Sequence, residues 1–205
     1  GGAAQTVGER CLADALAAQD HLYTLVLRGA EQTEVKTIGS IVDFVLAAHD
    51  ATALIDLIAT DDVQIVSLTV TEGGYPVDDE TGTFRADLCP PGSVFEILAR
   101  ALDARRRRSG RPLTILSCDN IMTNGAVARE ATIGAALGVD LDLPAWIVDH
   151  VSFPNSMVDR ITPMTTPSDI EWLDNTMGII DRWPVVAEPF RQWVVEDDFA
   201  GDRLP

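Results

Sequence analysis

Apolar and polar residues alternate along the chain with two different spacings. Some segments place apolar residues on one helical face, whereas others are short and rich in β-branched and aromatic residues. The first kind predicts helices at 9–18, 50–59, 93–110 and 124–138. The second kind predicts strands at 21–28, 35–46, 64–71, 112–118, 145–153 and 191–199. This order of strands and helices is typical of an α/β protein with a mostly parallel sheet and flanking helices.

Local signals refine several of these elements. The polar turn GAEQTE separates the first two strands, and Asp50 and Ser93 stand where N-caps of the second and third helices are expected. The arginine run 105–108 lies at a predicted helix C-terminus, where exposed positive charge complements the helix dipole. The Pro- and Asp-rich stretch 163–190 is expected to form a long excursion across the surface.

Composition narrows the class of protein. The 205 residues are enough for one good-sized domain or at most two small ones, and we expect one domain, 1–205. The net charge of −17 argues against non-specific binding to nucleic acid or to an anionic membrane. Three widely spaced cysteines fit a reducing compartment better than a disulfide framework. The start of the sequence lacks a signal-peptide pattern, and no apolar stretch is long enough for a membrane helix. A cytoplasmic protein is therefore expected.

Three predicted strands run into polar or glycine-rich segments, at 67–75, 116–125 and 151–163. In an open parallel sheet, ligands bind beyond the carboxyl ends of the strands. Turns also require Asp, Asn and Gly, so one such segment is weak evidence. Three at corresponding strand ends predict a binding site.

Individual side chains in these segments have two interpretations each. The amide of Asn120 could donate to a substrate carbonyl oxygen and stabilise developing negative charge, or it could cap a turn. Asp159 could orient a substrate hydroxyl, or it could form an ion pair with Arg160 or another surface arginine. Glu72 could reach ribose hydroxyls, or it could be a solvated turn carboxylate, and the glycines after it permit close approach of a ligand or a tight turn.

The sequence contains no motif that is typical of a metal site, a hydrolase or a glycine-rich phosphate-binding loop. The three histidines and three cysteines have no metal-ligand spacing, and no GxSxG, Walker-type or GxGxxG motif occurs. No metal site is expected. A hydrolase that uses Asp119 or Asp159 is disfavoured because no pair of nucleophile and base is evident. Lys36 is the sole lysine, so no other lysine can act as a general base.

The sequence resembles the long-chain mannitol dehydrogenase family, which includes mannitol 2-dehydrogenase and fructuronate reductase. The matching segments follow in order over nearly the whole chain. They are QDHLYTLV (19–26), IGSIVDF (38–44), IVSLTVTEGGY (65–75), SVFEILARALDARR (93–106), ILSCDNIMTNG (115–125), VSFPNSMVDRITP (151–163) and QWVVEDDF (192–199). The SCDN and FPNSMVDRITP runs are the most specific of these.

The resemblance implies a Rossmann-like domain that takes part in NAD-dependent interconversion of a polyol or sugar-acid alcohol and its ketone, without a catalytic metal. It implies that Asn120 holds the reacting oxygen and that Asp159 lies where cofactor and substrate meet. Thr71, Glu72 and Gly73 would line the cofactor cleft with Asn120, and Asn155 would lie on the same rim.

Two expected parts of the family pattern do not appear in the sequence. The family has a glycine-rich phosphate loop of the form GxGxFHR in its first βαβ unit, and a general-base lysine in a C-terminal helical domain. We therefore expect an incomplete chain with poor activity and a strand edge that favours self-association. The alternative is a non-catalytic nucleotide-binding or interaction module derived from the same family.

Overall fold

The computed structural model describes the backbone of residues 2–5 and 10–201 and the side chains of residues 12–201. Within it the chain divides into two units. Unit 1 comprises Gly1–Ala47 and Asp159–Gln192, and unit 2 comprises Ala48–Val158 and Trp193–Pro205. None of the described helices is long and apolar enough to cross a membrane.

The described residues of unit 1 form five strands and two helices. Their bounds are β1 Gly2–Gln5, α1 Arg10–Ala17, β2 Tyr23–Arg28, β3 Thr33–Ile38, β4 Asp43–Leu46, α6 Pro167–Met177 and β9 Val185–Ala187. Strands β2 and β3 pair antiparallel, from Tyr23 opposite Ile38 to Arg28 opposite Thr33, so the predicted pair of strands around a polar turn is confirmed. The predicted strand 35–46 is divided between β3 and β4, and β4 pairs in parallel with β1.

The stretch 163–190 is not a surface excursion, and that prediction is wrong. Helix α6 begins with a capping box, in which the Thr166 side chain accepts from the Asp169 backbone and the Asp169 side chain accepts from the Thr166 backbone. Strand β9 then pairs in parallel with β2. Leu173 of α6 and Val186 of β9 are buried with Val26 of β2 in one hydrophobic core cluster of unit 1.

Unit 2 is built around a parallel sheet in the order β5-β6-β7. Its elements are α2 Ala51–Ile58, β5 Ile65–Leu68, α3 Val94–Arg108, β6 Leu113–Ser117, α4 Asn124–Leu137, α5 Leu143–His150 and β7 Val151–Ser152. Strands β8, Ser156–Asp159, and β10, Gln192–Val195, pair with each other. All five residues of β6 are buried, as a central parallel strand requires. The predicted parallel sheet with helices between its strands is confirmed.

The segment 145–153 is mainly helical, so the strand prediction there is wrong. Helix α5 occupies Leu143–His150, and only Val151–Ser152 form a strand. Leu143 and Ile147 are fully buried, and their spacing of four residues places them on one helical face. Pro144 stands in the first turn, where the missing N–H costs nothing.

Helix α3 confirms its predicted bounds but corrects two local expectations. Ser93 occupies the N-cap position without making a side-chain cap hydrogen bond. Arg105 is 1% exposed rather than solvated. Its guanidinium donates to the carbonyls of Ile58 at 2.9 Å and Thr60 at 2.6 Å, and to those of Arg111 at 2.9 Å and Pro112 at 3.1 Å. The side chain therefore fastens the helix end to the segments before β5 and β6.

Candidate functional site

The carboxyl ends of β5 and β6 are joined by one carboxylate in unit 2. Asp119, two residues after β6, accepts the backbone N–H of Val70 at 3.0 Å and that of Thr71 at 2.9 Å. Tyr75 adds a hydroxyl that donates to the same carboxylate at 2.7 Å. Two of the three polar segments that the sequence singled out are therefore in direct contact.

Asn124 connects the third segment to the other two. This residue begins α4, is 1% exposed, and its side-chain amide donates to the carbonyls of Ser117 at 3.2 Å, Asp119 at 3.0 Å and Ser156 at 2.8 Å. Its side-chain oxygen accepts the backbone N–H of Ser156 at 3.0 Å. Asn124 was not among the site residues predicted from the sequence, although the Asn-Gly pair at the start of a predicted helix was a visible signal.

A buried phenol supports the same strand ends. The Tyr75 hydroxyl lies 2.7 Å from the Ser117 hydroxyl as well as 2.7 Å from Asp119. Burial raises the pKa of Tyr75 well above its ordinary value; hydrogen bonding to Ser117 opposes that shift, whereas Asp119 adds to it. The phenol therefore stays protonated at neutral pH and acts as a hydrogen-bond donor to Asp119.

Asn120 is exposed at this edge of the sheet. Among the described residues, no hydrogen-bond partner is found for its side chain. The N-cap position of α4 is occupied by Thr123, which has a φ of 51°. The capping interpretation of Asn120 therefore has no contact to support it, and its amide is available to a ligand.

The turn after β5 is also open to solvent. Thr71, Glu72 and Gly73 are exposed, and Glu72–Gly74 form one turn of 3-10 helix. A Cβ built on Gly73 would meet no atom within 4 Å. The backbone of this turn can therefore be approached closely by a bound molecule.

Asn155 is half-buried, and both polar atoms of its side chain form hydrogen bonds within the protein. Its oxygen accepts the Gly125 backbone N–H at 2.9 Å, and its amide donates to both carboxylate oxygens of Glu196 at 3.0 Å. Hydrogen bonds from the Asn155 side chain, followed by its backbone N–H, lower the pKa of Glu196. These contacts hold the rim formed by residues 153–156 against the start of α4.

Asp159 is the last residue of β8 and is exposed. The alternative of an ion pair with Arg160 is not formed, because the Arg160 guanidinium donates to the Glu188 carbonyl at 3.2 and 3.1 Å. The carboxylate of Asp159 is therefore accessible to solvent or ligand.

Thiols and histidines make other kinds of contact. Cys89 and Cys118 are free, and burial raises the pKa of the Cys118 thiol, which disfavours the thiolate. His150 stacks on Trp146 with ring centroids 4.9 Å apart and lies 3.0 Å from its carbonyl oxygen. Within residues 12–201 no group of three His, Cys, Asp or Glu side chains has the arrangement of a metal site.

Comparison with known proteins identifies close relatives of the whole chain. The family model described as the mannitol dehydrogenase Rossmann domain matches residues 4–205. A mannitol 2-dehydrogenase of Aspergillus terreus is 42% identical over 209 residues, which cover 96% of this chain and 42% of that protein. Another, from Pyrenophora tritici-repentis, is 44% identical over 204 residues, covering 94% of this chain and 36% of that protein. The chain thus spans less than half the length of these relatives.

Solved structures show the same likeness in three dimensions. The ternary complex of Pseudomonas fluorescens mannitol 2-dehydrogenase with NAD and D-mannitol superposes with a TM-score of 0.91 and 47% identity, over 98% of this chain and 43% of that one. Substrate-free D-sorbitol dehydrogenase gives a TM-score of 0.90 and 38% identity, over 98% of this chain and 45% of that one. The predicted Rossmann-type fold is confirmed by these matches.

Proposed function

Because the chain belongs to the mannitol dehydrogenase family, we propose that it binds NAD(H) and contributes to a polyol or sugar-acid oxidoreductase that interconverts a secondary alcohol and its ketone. One observation carries the proposal. The hydrogen-bond network of Asp119 and Asn124 gathers three strand-end segments at the carboxyl edge of a parallel sheet. That edge is where Rossmann-type domains bind dinucleotides.

The residues at this edge fit a dinucleotide. Thr71, Glu72 and Gly73 present exposed backbone and one carboxylate, and the space beside Gly73 is empty. A carboxylate suits ribose hydroxyls, and backbone without a side chain suits close approach of a phosphate-linked group. Asn120 and Asn155 complete the proposed cofactor rim. Bound nicotinamide would supply the hydride acceptor or donor.

Asn120 has the chemistry to hold the reacting oxygen. Its exposed amide has two N–H groups, and an amide donor aimed at a carbonyl oxygen stabilises the negative charge that develops during reduction. Asp159 presents an accessible carboxylate that can accept a hydroxyl hydrogen of a polyol. We assign the first residue to the reacting oxygen and the second to substrate orientation.

The described residues offer the least support for the proton-transfer step of the proposed reaction. Lys36, the sole lysine, lies on β3, is exposed and pairs with Glu34 at 3.0 Å. It is thus engaged on a strand that carries none of the proposed site residues. General acid–base catalysis typically contributes about 10²–10⁴-fold, so we propose that this chain by itself turns over substrate slowly.

Titration calorimetry with NADH tests the cofactor assignment. We expect a dissociation constant in the micromolar range, and an absence of binding at millimolar NADH would contradict the proposal. Oxidation of NADH with fructose and with fructuronate tests the second part. A rate near the ordinary enzyme value of about 10 per second would contradict slow turnover, and it would equally exclude the alternative of a non-catalytic module.

Two further expectations stay predictions. Self-association through a strand edge is opposed on β3 by the exposed Glu34 and Lys36, since charged edge strands resist pairing. Size-exclusion chromatography at two protein concentrations would test it. A cytoplasmic location is also a prediction, which fractionation of cells of the source organism would test.

A further inference from the structure

Asp119 concentrates its hydrogen bonds on a single short turn. One carboxylate oxygen accepts the Thr71 backbone N–H at 2.9 Å, and the other accepts that of Val70 at 3.0 Å and the Tyr75 hydroxyl at 2.7 Å. No arginine, lysine or histidine among the described residues forms an ion pair with this carboxylate. The hydrogen bonds from the turn are therefore the main interactions that this carboxylate makes with the protein.

Thr71 has an unusual backbone conformation. Its φ of 64° and ψ of 165° fall in a region that is essentially restricted to glycine. A β-branched side chain makes this conformation still less favourable. Such a conformation persists only where surrounding contacts enforce it, and the carboxylate of Asp119 bonds to the N–H of this same residue.

We propose that Asp119 is a positioning residue that holds Thr71 in this conformation and so presents the turn Thr71–Gly73 to the cofactor. The inference rests on the proposed function, in which this turn lines the cofactor cleft. Asp119 directly precedes Asn120 in the sequence. The same residue therefore links the backbone of the cofactor turn to that of the residue assigned to the substrate oxygen.

The carboxylate is suited to this task by its geometry. Two backbone N–H groups from consecutive residues each need an acceptor, and a single carboxylate supplies one oxygen to each. An asparagine at position 119 would keep the shape but offer only one oxygen, so one N–H would face an amide nitrogen. Tyr75 holds the carboxylate from its buried side through its hydroxyl.

Asp119→Asn is the direct test. Hydrogen bonds to charged groups contribute enough to change an opening equilibrium by on the order of tenfold or more. We therefore expect amide hydrogen exchange at Val70 and Thr71 to accelerate by about that factor, and the NADH dissociation constant to rise by a similar factor. The matched control is Asp103→Asn on α3, whose carboxylate pairs with Arg106 and Arg107. That control should change neither quantity.

A second substitution separates positioning from general destabilisation. Glycine adopts the backbone conformation of residue 71 at little cost, so Thr71→Gly placed in the Asp119→Asn background should recover about threefold of the lost NADH affinity. A residue that only stabilises the fold would show no such specific rescue. If Asp119→Asn does not fold, Asp119→Glu, which keeps the charge but displaces it, should still accelerate exchange at Thr71.

The outcomes distinguish this proposal from the cofactor assignment. Unchanged exchange at Val70 and Thr71 in a folded Asp119 variant would overturn the positioning role, whatever happens to NADH binding. Wild-type protein that binds no NADH would contradict the cofactor site, while accelerated exchange in Asp119→Asn would still support the hold on Thr71. Normal NADH binding together with accelerated exchange would show that the turn does not serve the cofactor.

Discussion

Gly125 and Asn155 are joined by a contact that leaves no room for a side chain at position 125. The Gly125 backbone N–H donates to the Asn155 side-chain oxygen at 2.9 Å. A Cβ on Gly125 would clash with the Phe153 carbonyl oxygen and would lie 2.9 Å from the Asn155 nitrogen. The start of α4 can therefore approach the 153–155 backbone only because residue 125 is glycine, and this approach brings the third polar segment to the site.

Gly125→Ala should consequently destabilise the protein. The added methyl group would overlap the backbone of residues 153–155, which has little freedom to move. Overpacking of this kind costs about 1–3 kcal/mol. We expect a loss of about 3 kcal/mol in the free energy of unfolding measured with urea. Gly73→Ala is the matched control, because its Cβ would meet no atom within 4 Å. Equal stability of the two variants would contradict the packing argument.

Much of this site follows from the sequence, because strand ends are marked by local composition. The apolar runs 64–71 and 112–118 predicted β5 and β6, and the carboxyl ends of neighbouring parallel strands necessarily meet at one edge. Exposed Asn120 and the open turn Thr71–Gly73 lie where the pattern placed them. Composition could not predict the hydrogen bonds that connect these segments. Asn124 and Asp119 look like ordinary turn residues until their partners, which are distant in sequence, are known.

The errors have physical causes as well. Segment 145–153 is apolar and partly β-branched, so its composition fits a strand, but Leu143 and Ile147 are both buried at helical spacing. Arg105 resembles its three arginine neighbours in sequence, although it lies three residues after buried Leu102 on the inner face of α3. In 163–190 the Thr-Pro-Ser-Asp start of α6 was a recognisable helix signal that abundant Pro and Asp concealed.

Gly73→Ala should affect binding without affecting folding. The methyl group meets nothing within the protein, so the free energy of unfolding should stay within about 0.5 kcal/mol of wild type. It would nevertheless occupy the space in which the proposed function places the cofactor, and we expect the NADH dissociation constant to rise by on the order of tenfold. Gly138→Ala, beyond the far end of α4, should leave NADH binding unchanged. Wild-type affinity in Gly73→Ala would argue against cofactor contact with this turn.

Arg105→Lys should be strongly destabilising despite keeping the charge. The planar guanidinium donates to four carbonyls in separate directions. A lysine ammonium group has only three donors, and they lie at the end of a shorter side chain. The unsatisfied carbonyls and the buried charge should lower the free energy of unfolding by about 3 kcal/mol. Arg108→Lys, at an exposed position of the same helix end, should change it by no more than about 0.5 kcal/mol. Urea denaturation of both variants gives the comparison.

Glu196 should contribute stability that depends on pH in the acidic range. Hydrogen bonds from the Asn155 side chain and backbone lower the pKa of Glu196 from its ordinary value of 4.5. Because the folded pKa lies below the unfolded one, this stabilisation is present above about pH 4.5 and is lost as the pH falls through the folded pKa. Wild type should therefore exceed Glu196→Gln in stability at about pH 6, and the difference should shrink towards about pH 3.

The test of this pH dependence is urea denaturation of wild type and Glu196→Gln across that range, repeated in the Asn155→Ala background. Removing the side-chain amide deletes the larger cause of the lowered pKa, while the backbone N–H of residue 155 still donates to Glu196. The pH trend in the stability difference between glutamate and glutamine at position 196 should then become weaker without vanishing. A difference that stays constant with pH in the wild-type background would show that Asn155 does not stabilise the ionised carboxylate, and the rim would then depend on its contacts with Asn124 and Gly125.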